Sequence, residues 1–339
     1  VILSGMTLGN LPPPSPSNSI QVVNGTVFNF ADYPSLQHEH IALFNYLRTL
    51  VNQPFGEWEG WFIRPDVTYL VHYQLAFMSY SIERMFEVTP GYRTSFYSEM
   101  AHNLIKKMNT TIDEYGDTSI EMMEWVRSTI GFPNWTSYHY PDPTNESHVY
   151  TGGFSGPANI MWTAHYALME LLYERNFHTG EFYDEFTWYM HDWNNSLTTD
   201  GFGNPQEGGI WKCGLIPCQP YEVWIQCNSI PIFFTELYDN MYNTSFMPIW
   251  DYGLWFANTV MQDQYGLFTD GYYVQKPLGY MDLEGMPPQP FPGNELDPYT
   301  RDGRPYVSAY GVAWAMLFLE YTQPNETIHD YPIFIDVYG

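Results

Sequence analysis

WKCGLIPCQPYEVWIQCNS, Trp211 to Ser229, holds every cysteine of the chain: Cys213, Cys218 and Cys227. Three thiols among 339 residues crowd into fifteen positions, where a Gly- and Pro-rich stretch gives way to an apolar run. Cys218 and Cys227 stand nine apart with a proline between them, a spacing that excludes a CxxC metal ribbon. Two readings remain. A Cys218–Cys227 or Cys213–Cys218 disulfide would staple the loop. Alternatively, two thiols face one cavity from a loop and the start of the next helix, as weak acids and bases tuned by their surroundings. An odd count leaves at least one cysteine without an internal partner.

On both sides of this stretch the apolar spacing is mostly helical. It predicts helices over 67–86, 94–108, 159–173, 181–193, 228–241, 246–262 and 305–321. Residues 200–220 and 263–304 are dense in Gly and Pro and read as long loops, the first with a short hairpin near DGFGNPQEGG. Residues 1–30 read as an extended, Pro-rich lead-in and 31–339 as one domain of helical hairpins. The expected class is all-α, with chemistry on loops at one end.

Composition narrows the function. Apolar residues make up 45%, enough for a sizeable core, and aromatics 19%, read either as an aromatic-rich core or as the lining of a large apolar cavity. Twelve basic against thirty-eight acidic residues leave −26, which repels phosphate backbones and anionic membranes, so a nucleic-acid partner is excluded. No apolar run reaches the roughly eighteen residues that span a bilayer. The sequence opens on Val1 without a leader, and removal of a targeting segment is expected. Seven N-x-S/T sequons, at Asn24, Asn109, Asn134, Asn145, Asn194, Asn243 and Asn325, exceed the roughly three expected by chance. They point to glycosylation in a secretory lumen or outside the cell.

In NIMWTAHYALMELLY, Met161, His165, Leu168 and Leu172 share a helix face, so His165 is either a core residue or an acid/base at a pocket wall. His38 and His40, two apart, diverge on a helix and lack the HExxH spacing of a zinc site. Asp66, Glu207, Asp270 and Asp302 lie near Gly-rich loops and could form a glycosidase pair, a signal made unspecific by the abundance of acids. There is no GxSxG, P-loop or GxGxxG.

Taken together, NIMWTAH, CQPYEVWIQCNSI and SAYGVAWAM resemble the linalool dehydratase/isomerase family, in the same order over roughly 45–335. The resemblance implies an (α,α)6-type barrel over an apolar cavity, cofactor-independent, assembled as a ring. It implies catalytic roles for Cys218, Cys227, His165, Tyr73 and Tyr310, and a substrate-binding wall of Met161, Arg48, Phe55, Trp224 and Phe268. Arg48 falls where the family carries the aspartate that grips the substrate hydroxyl, and Phe55 or Gly56 near a family tyrosine. The family continues with further helices past IFIDVYG, so the barrel is expected to be incomplete at that end or completed by another chain or a homo-oligomer. The implied reaction is proton transfer on a terpenoid-like molecule, a dehydration or double-bond isomerisation. A cyclase or pericyclase of the Diels–Alder type in the same pocket is the alternative, favoured by the loss of the aspartate. A glycan-active or purely carbohydrate-binding protein is the third reading.

Overall fold

The computed structural model describes residues 20–54, 57–61, 71–93, 95–113, 160–200, 204–218, 222–263, 265–269, 271–274, 289–290 and 309–338. Among these the protein is mostly helical, as the all-α class requires. They fall into two compact units, one of Val1–Ser119 with Leu172–Gly180 and one of Ile120–Leu171 with Glu181–Gly339.

The first unit begins with a hairpin of β1 (Ile20–Val23) and β2 (Thr26–Asn29), where the lead-in was expected to stay extended. Asn24 and Gly25 form its turn with φ of 51° and 80°, the positive pair that matches strand twist and that Asn-Gly tolerates best. Three helices follow: α1 (His38–Val51), α2 (Val71–Val88) and α3 (Ser95–Asp113). His40 serves α1 as a cap, its Nδ1 accepting from the Gln37 N–H at 3.2 Å. Phe44, Leu47, Leu50 and Val51 form the buried stripe of α1, which packs on α3. The turn at Thr89–Tyr92 returns the chain so that α2 packs along α3. Predicted starts at 67 and 94 fall outside the described residues.

Lys107 and Glu83, both ionisable, are buried in this unit. Lys107 of α3 donates from Nζ to the Pro54 and Glu57 carbonyls at 3.1 and 3.4 Å, with the Trp58 ring 4.8 Å away. It thereby anchors the turn after α1, and burial lowers its pKa. Glu83 of α2 accepts from Asn176 Nδ2 at 2.6 Å, and Asn176 also reaches Glu87, which pairs with Arg175 at 3.4 Å.

In the second unit, α4 (Ile160–Phe177) runs as a central helix up to Leu171, and its part from Leu172 belongs to the first unit. Every residue from Ile160 to Leu171 is buried, as expected of a helix apolar on all sides. α5 (Tyr183–Thr198) and α6 (Ile225–Tyr242) contribute the aromatic core, where Phe234 meets Phe186 and Trp193 edge-on. The region predicted as one helix over 246–262 is a 3-10 turn at Met247–Trp250 and then α7 (Asp251–Val260). Asp239 holds the start of that turn: its carboxylate accepts the Phe246 and Met247 N–H groups at 2.8–2.9 Å. A small antiparallel sheet joins β3 (Glu222–Trp224), β4 (Gly271–Tyr273) and β5 (Gln289–Pro290) in that order.

α8 (Ala309–Leu319) packs on α6. The unpredicted α9 (Pro324–Tyr338) then folds back, laying Ile333, Phe334 and Val337 over Leu267, Val312 and Met316. Its internal Pro332 hides it from a periodicity reading.

Candidate active site

The Gly-rich stretch from Asn204 to Cys218 is a loop, as its composition implies, yet from Gly208 onward it is buried almost throughout. Among the described residues the expected hairpin shows a Thr199–Pro205 bridge, with the Asp200 N–H on the Asn204 carbonyl and the Gln206 N–H on the Thr198 carbonyl, each at 2.9 Å. Beyond it the loop is tied to the end of α5 through Ile210 N–H to Ser196 carbonyl at 2.9 Å, and closed on itself through Gly214 N–H to Gly208 carbonyl at 2.9 Å. Gly209 and Gly214 sit at φ of 67° and 68°; a Cβ on Gly209 would strike the Ser196–Leu197 backbone, and one on Gly214 that of Gly253. Glycine here serves close packing of backbone on backbone.

This packing presents Cys218 next to two other elements. Asn228 of α6 binds the Ile216 peptide from both sides: the Ile216 N–H donates to Oδ1 and Nδ2 donates to the Ile216 carbonyl, each at 2.9 Å. Nδ2 also reaches the Trp224 carbonyl at 3.0 Å. The clamp joins the residue two before Cys218 to the residue after Cys227. In addition, the Ile160 N–H at the start of α4 donates to the Pro217 carbonyl at 3.1 Å, which sets Met161 and the His165 helix against the Cys218 loop. Cys218, Cys227, Met161 and His165 therefore stand on three elements tied at adjacent residues within one unit.

None of the three cysteines forms a disulfide and all are buried, Cys218 at 2% and Cys227 at 6% exposure, so the disulfide reading is set aside. Pro231 lies inside α6 and has no N–H to offer the carbonyl four residues back, that of Cys227. The helical bond that would occupy this acceptor cannot form. Cys213 is different. Burial pushes its thiol up to about 12, its Sγ donates to the Leu215 carbonyl at 3.5 Å, and it is held as an apolar thiol.

His165 is fully buried, its ring 5.5 Å from Trp314 of α8. Tyr310, one turn before Trp314, lies at the surface of α8 with 60% exposure. On the other side of α4, Trp162 stacks on Tyr166, which meets Tyr189 of α5 edge-on. Phe268 is buried beside its bridge to Gln262, and Trp224 is half-buried in β3 opposite Gly271. The structure thus gathers Cys218, Cys227, Met161, His165, Trp224 and Phe268 in the second unit.

Tyr73 and Arg48 belong to the first unit. Tyr73 is in α2 of the first unit, its ring tilted against His72 at 4.1 Å. Arg48 is also in the first unit, its guanidinium 3.7 Å over the Phe96 ring, a cation–π contact between α1 and α3. Phe55 lies outside the described residues, as do Asp66, Asp270 and Asp302, while Glu207 is exposed. Among the described residues no three His, Cys, Asp or Glu side chains gather as metal ligands, and no helix is long and apolar enough to cross a membrane.

Sequence reading missed Asn228, Pro231 and Trp314, as well as the buried acids Glu170 and Asp192. A usable signal existed for Asn228 and Pro231, polar and helix-breaking residues inside the apolar opening of a helix. Glu170, set among Leu and Met, carried a similar one. No protein-family model matches the chain, and no curated protein matches it in sequence.

Proposed function

We propose that the protein is a cofactor-independent lyase or isomerase acting on an apolar, terpenoid-like alcohol by proton transfer. The observation that carries this reading is the junction of disulfide-free Cys218 and Cys227 with the His165 helix, locked by Asn228 and by the Ile160–Pro217 bond. In the dehydration, one thiol gives its proton to the hydroxyl, the C–O bond breaks and water leaves. The second thiol, as thiolate, or the His165 imidazole takes a proton from the neighbouring carbon, whose C–H electrons form the new double bond. The Cys227 carbonyl is an acceptor suited to orient the substrate hydroxyl before reaction. Buried aromatic neighbours exclude bulk water, which favours such charge movement. The family resemblance and the apolar composition support the substrate class, and with it a barrel around an apolar cavity.

The test is incubation with tertiary and primary allylic monoterpene alcohols and analysis of hydrocarbon and isomer products by gas chromatography. Cys218→Ser, Cys227→Ser and His165→Gln are each expected to lower turnover by about 10²–10⁴-fold, the range for a positioned acid or base. Turnover that survives both cysteine substitutions would sink the reading. Ring closure of a polyene under those conditions would put a cyclase or pericyclase in its place.

A further inference from the structure

The fold sorts the sequons. Asn24 sits at the tip of the β1–β2 hairpin and Asn243 caps the end of α6, both exposed and both at positive φ, 51° and 54°. Asn325 is exposed in the first turn of α9. In contrast, Asn194 is half-buried within α5. Ser196, whose hydroxyl completes that sequon, is buried, and its carbonyl holds the Ile210 N–H of the cysteine loop. The Asn109 side chain, Asn134 and Asn145 lie outside the described residues.

A second observation concerns what surrounds the accessible asparagines. Val22 and Val27, a cross-strand pair near the hairpin tip, are 65% and 63% exposed. Ile328, one turn beyond Asn325 and on its helix face, is 71% exposed, and Tyr321 lies exposed just before that helix. Tyr242, next to Asn243, meets the exposed Tyr183 ring at 5.2 Å. Large apolar side chains left in water favour association unless something covers them. A glycan is bulky, hydrated and tethered at the surface, which suits it to that task.

We propose that Asn24, Asn243 and Asn325 are N-glycosylated and that their glycans screen the adjacent apolar side chains, while Asn194 stays unmodified because folding needs its sequon inside α5. The proposal depends on passage through a secretory lumen and is independent of the terpenoid reading.

The full chain would be secreted from a eukaryotic host, released from its glycans with peptide-N-glycosidase in heavy-oxygen water, and mapped by peptide mass spectrometry. Nearly full occupancy is expected at Asn24, Asn243 and Asn325, and none at Asn194. Occupancy at Asn194 in folded, secreted protein, or empty sites at the other three, overturns the assignment. Screening is tested separately with Thr26→Ala, Ser245→Ala and Thr327→Ala combined, which removes the three sequons but keeps the asparagines that the turns require. Binding of an apolar dye is expected to rise about twofold or more with unchanged helical circular dichroism. Endoglycosidase trimming of the folded glycoprotein should raise it in the same way, with no substitution at all. No rise in either measurement refutes the screening role.

Discussion

The two units solve the problem of a crowded interior in different ways. In the first, ionisable side chains go inside and are met by neighbours: Lys107 by two carbonyls and an indole, Glu83 by Asn176. In the second, the backbone itself is the close-packed surface, with glycines meeting glycines and one asparagine binding a peptide from both sides. The difference teaches where each unit is sensitive. The first should respond to pH through Glu83, and the second to single atoms added to its loops.

The largest effect is expected from Gly214→Ala. The added methyl meets the Gly253 backbone, which has no rotamer to yield, at a φ of 68° that alanine disfavours. A loss on the order of 4 kcal/mol is expected, at the upper end for single substitutions. Thermal unfolding measures it, and a change near zero would mean the loop is not packed as described. Gly180→Ala, at a similar φ of 70° but with open space around its Cβ, is the control for backbone strain alone.

Glu83 sharpens the other side. Burial, reinforced by the nearby Glu87 and opposed by Asn176 and Arg175, pushes its carboxyl from an ordinary 4.5 to about 8. Between those values the folded state keeps a proton that the unfolded chain has released. This group's contribution is therefore greatest below pH 4.5, falls as pH rises to about 8, and is flat above. The fall should be a few kcal/mol, given about 1.4 kcal/mol per pH unit across that window. Urea titrations at pH 5 and pH 8.5 read it, and Glu83→Gln should erase this share of the slope. An unchanged slope in the variant would assign the pH dependence to other groups.

Against this comparison, what the sequence revealed and what it hid have physical reasons. The helices at 71–88, 95–113 and 160–177 were legible because their apolar residues recur at helical spacing. The last helix was not, because Pro332 lies within it, and a proline near a chain's last residues reads as a stop. Glycine marked the cysteine loop correctly as non-helical but could not say whether the backbone approached water or another backbone. The family resemblance suggests that Cys218 and Cys227 address one site, whereas the Asn228 clamp on Ile216 depends on a long-range pairing no local pattern encodes. The resemblance puts Arg48 at a substrate, while its guanidinium over Phe96 follows from the helix pairing of the first unit, which no local pattern encodes.

Asn228→Ala probes the second unit more gently than Gly214→Ala. It leaves both polar groups of the Ile216 peptide buried and unmet by the side chain that now binds them, at a cost of about 2 kcal/mol. Local opening of the loop should become easier, so alkylation of Cys218 in native protein should speed up about tenfold while that of Cys213 changes less. Peptide mass mapping over time distinguishes them. Equal acceleration of Cys213 and Cys218 would show that the whole loop, and not its clamped end, opens as one piece.

The smallest effect belongs to Arg48, and it decides whether the first unit is scaffold alone. A guanidinium centred 3.7 Å over Phe96 contributes about 1 kcal/mol where the pair is only partly shielded from water. Arg48→Gln and Phe96→Leu should each cost that much in stability, and the double variant should cost less than their sum, since both remove the same contact. If Arg48 instead gripped a substrate, Arg48→Gln would leave stability nearly unchanged and raise KM, and Phe96→Leu would not be coupled to it. Coupling in stability together with an unchanged KM therefore places Arg48 in the packing of α1 on α3. The proposed acid/base chemistry would then rest on the thiols and the imidazole of the second unit.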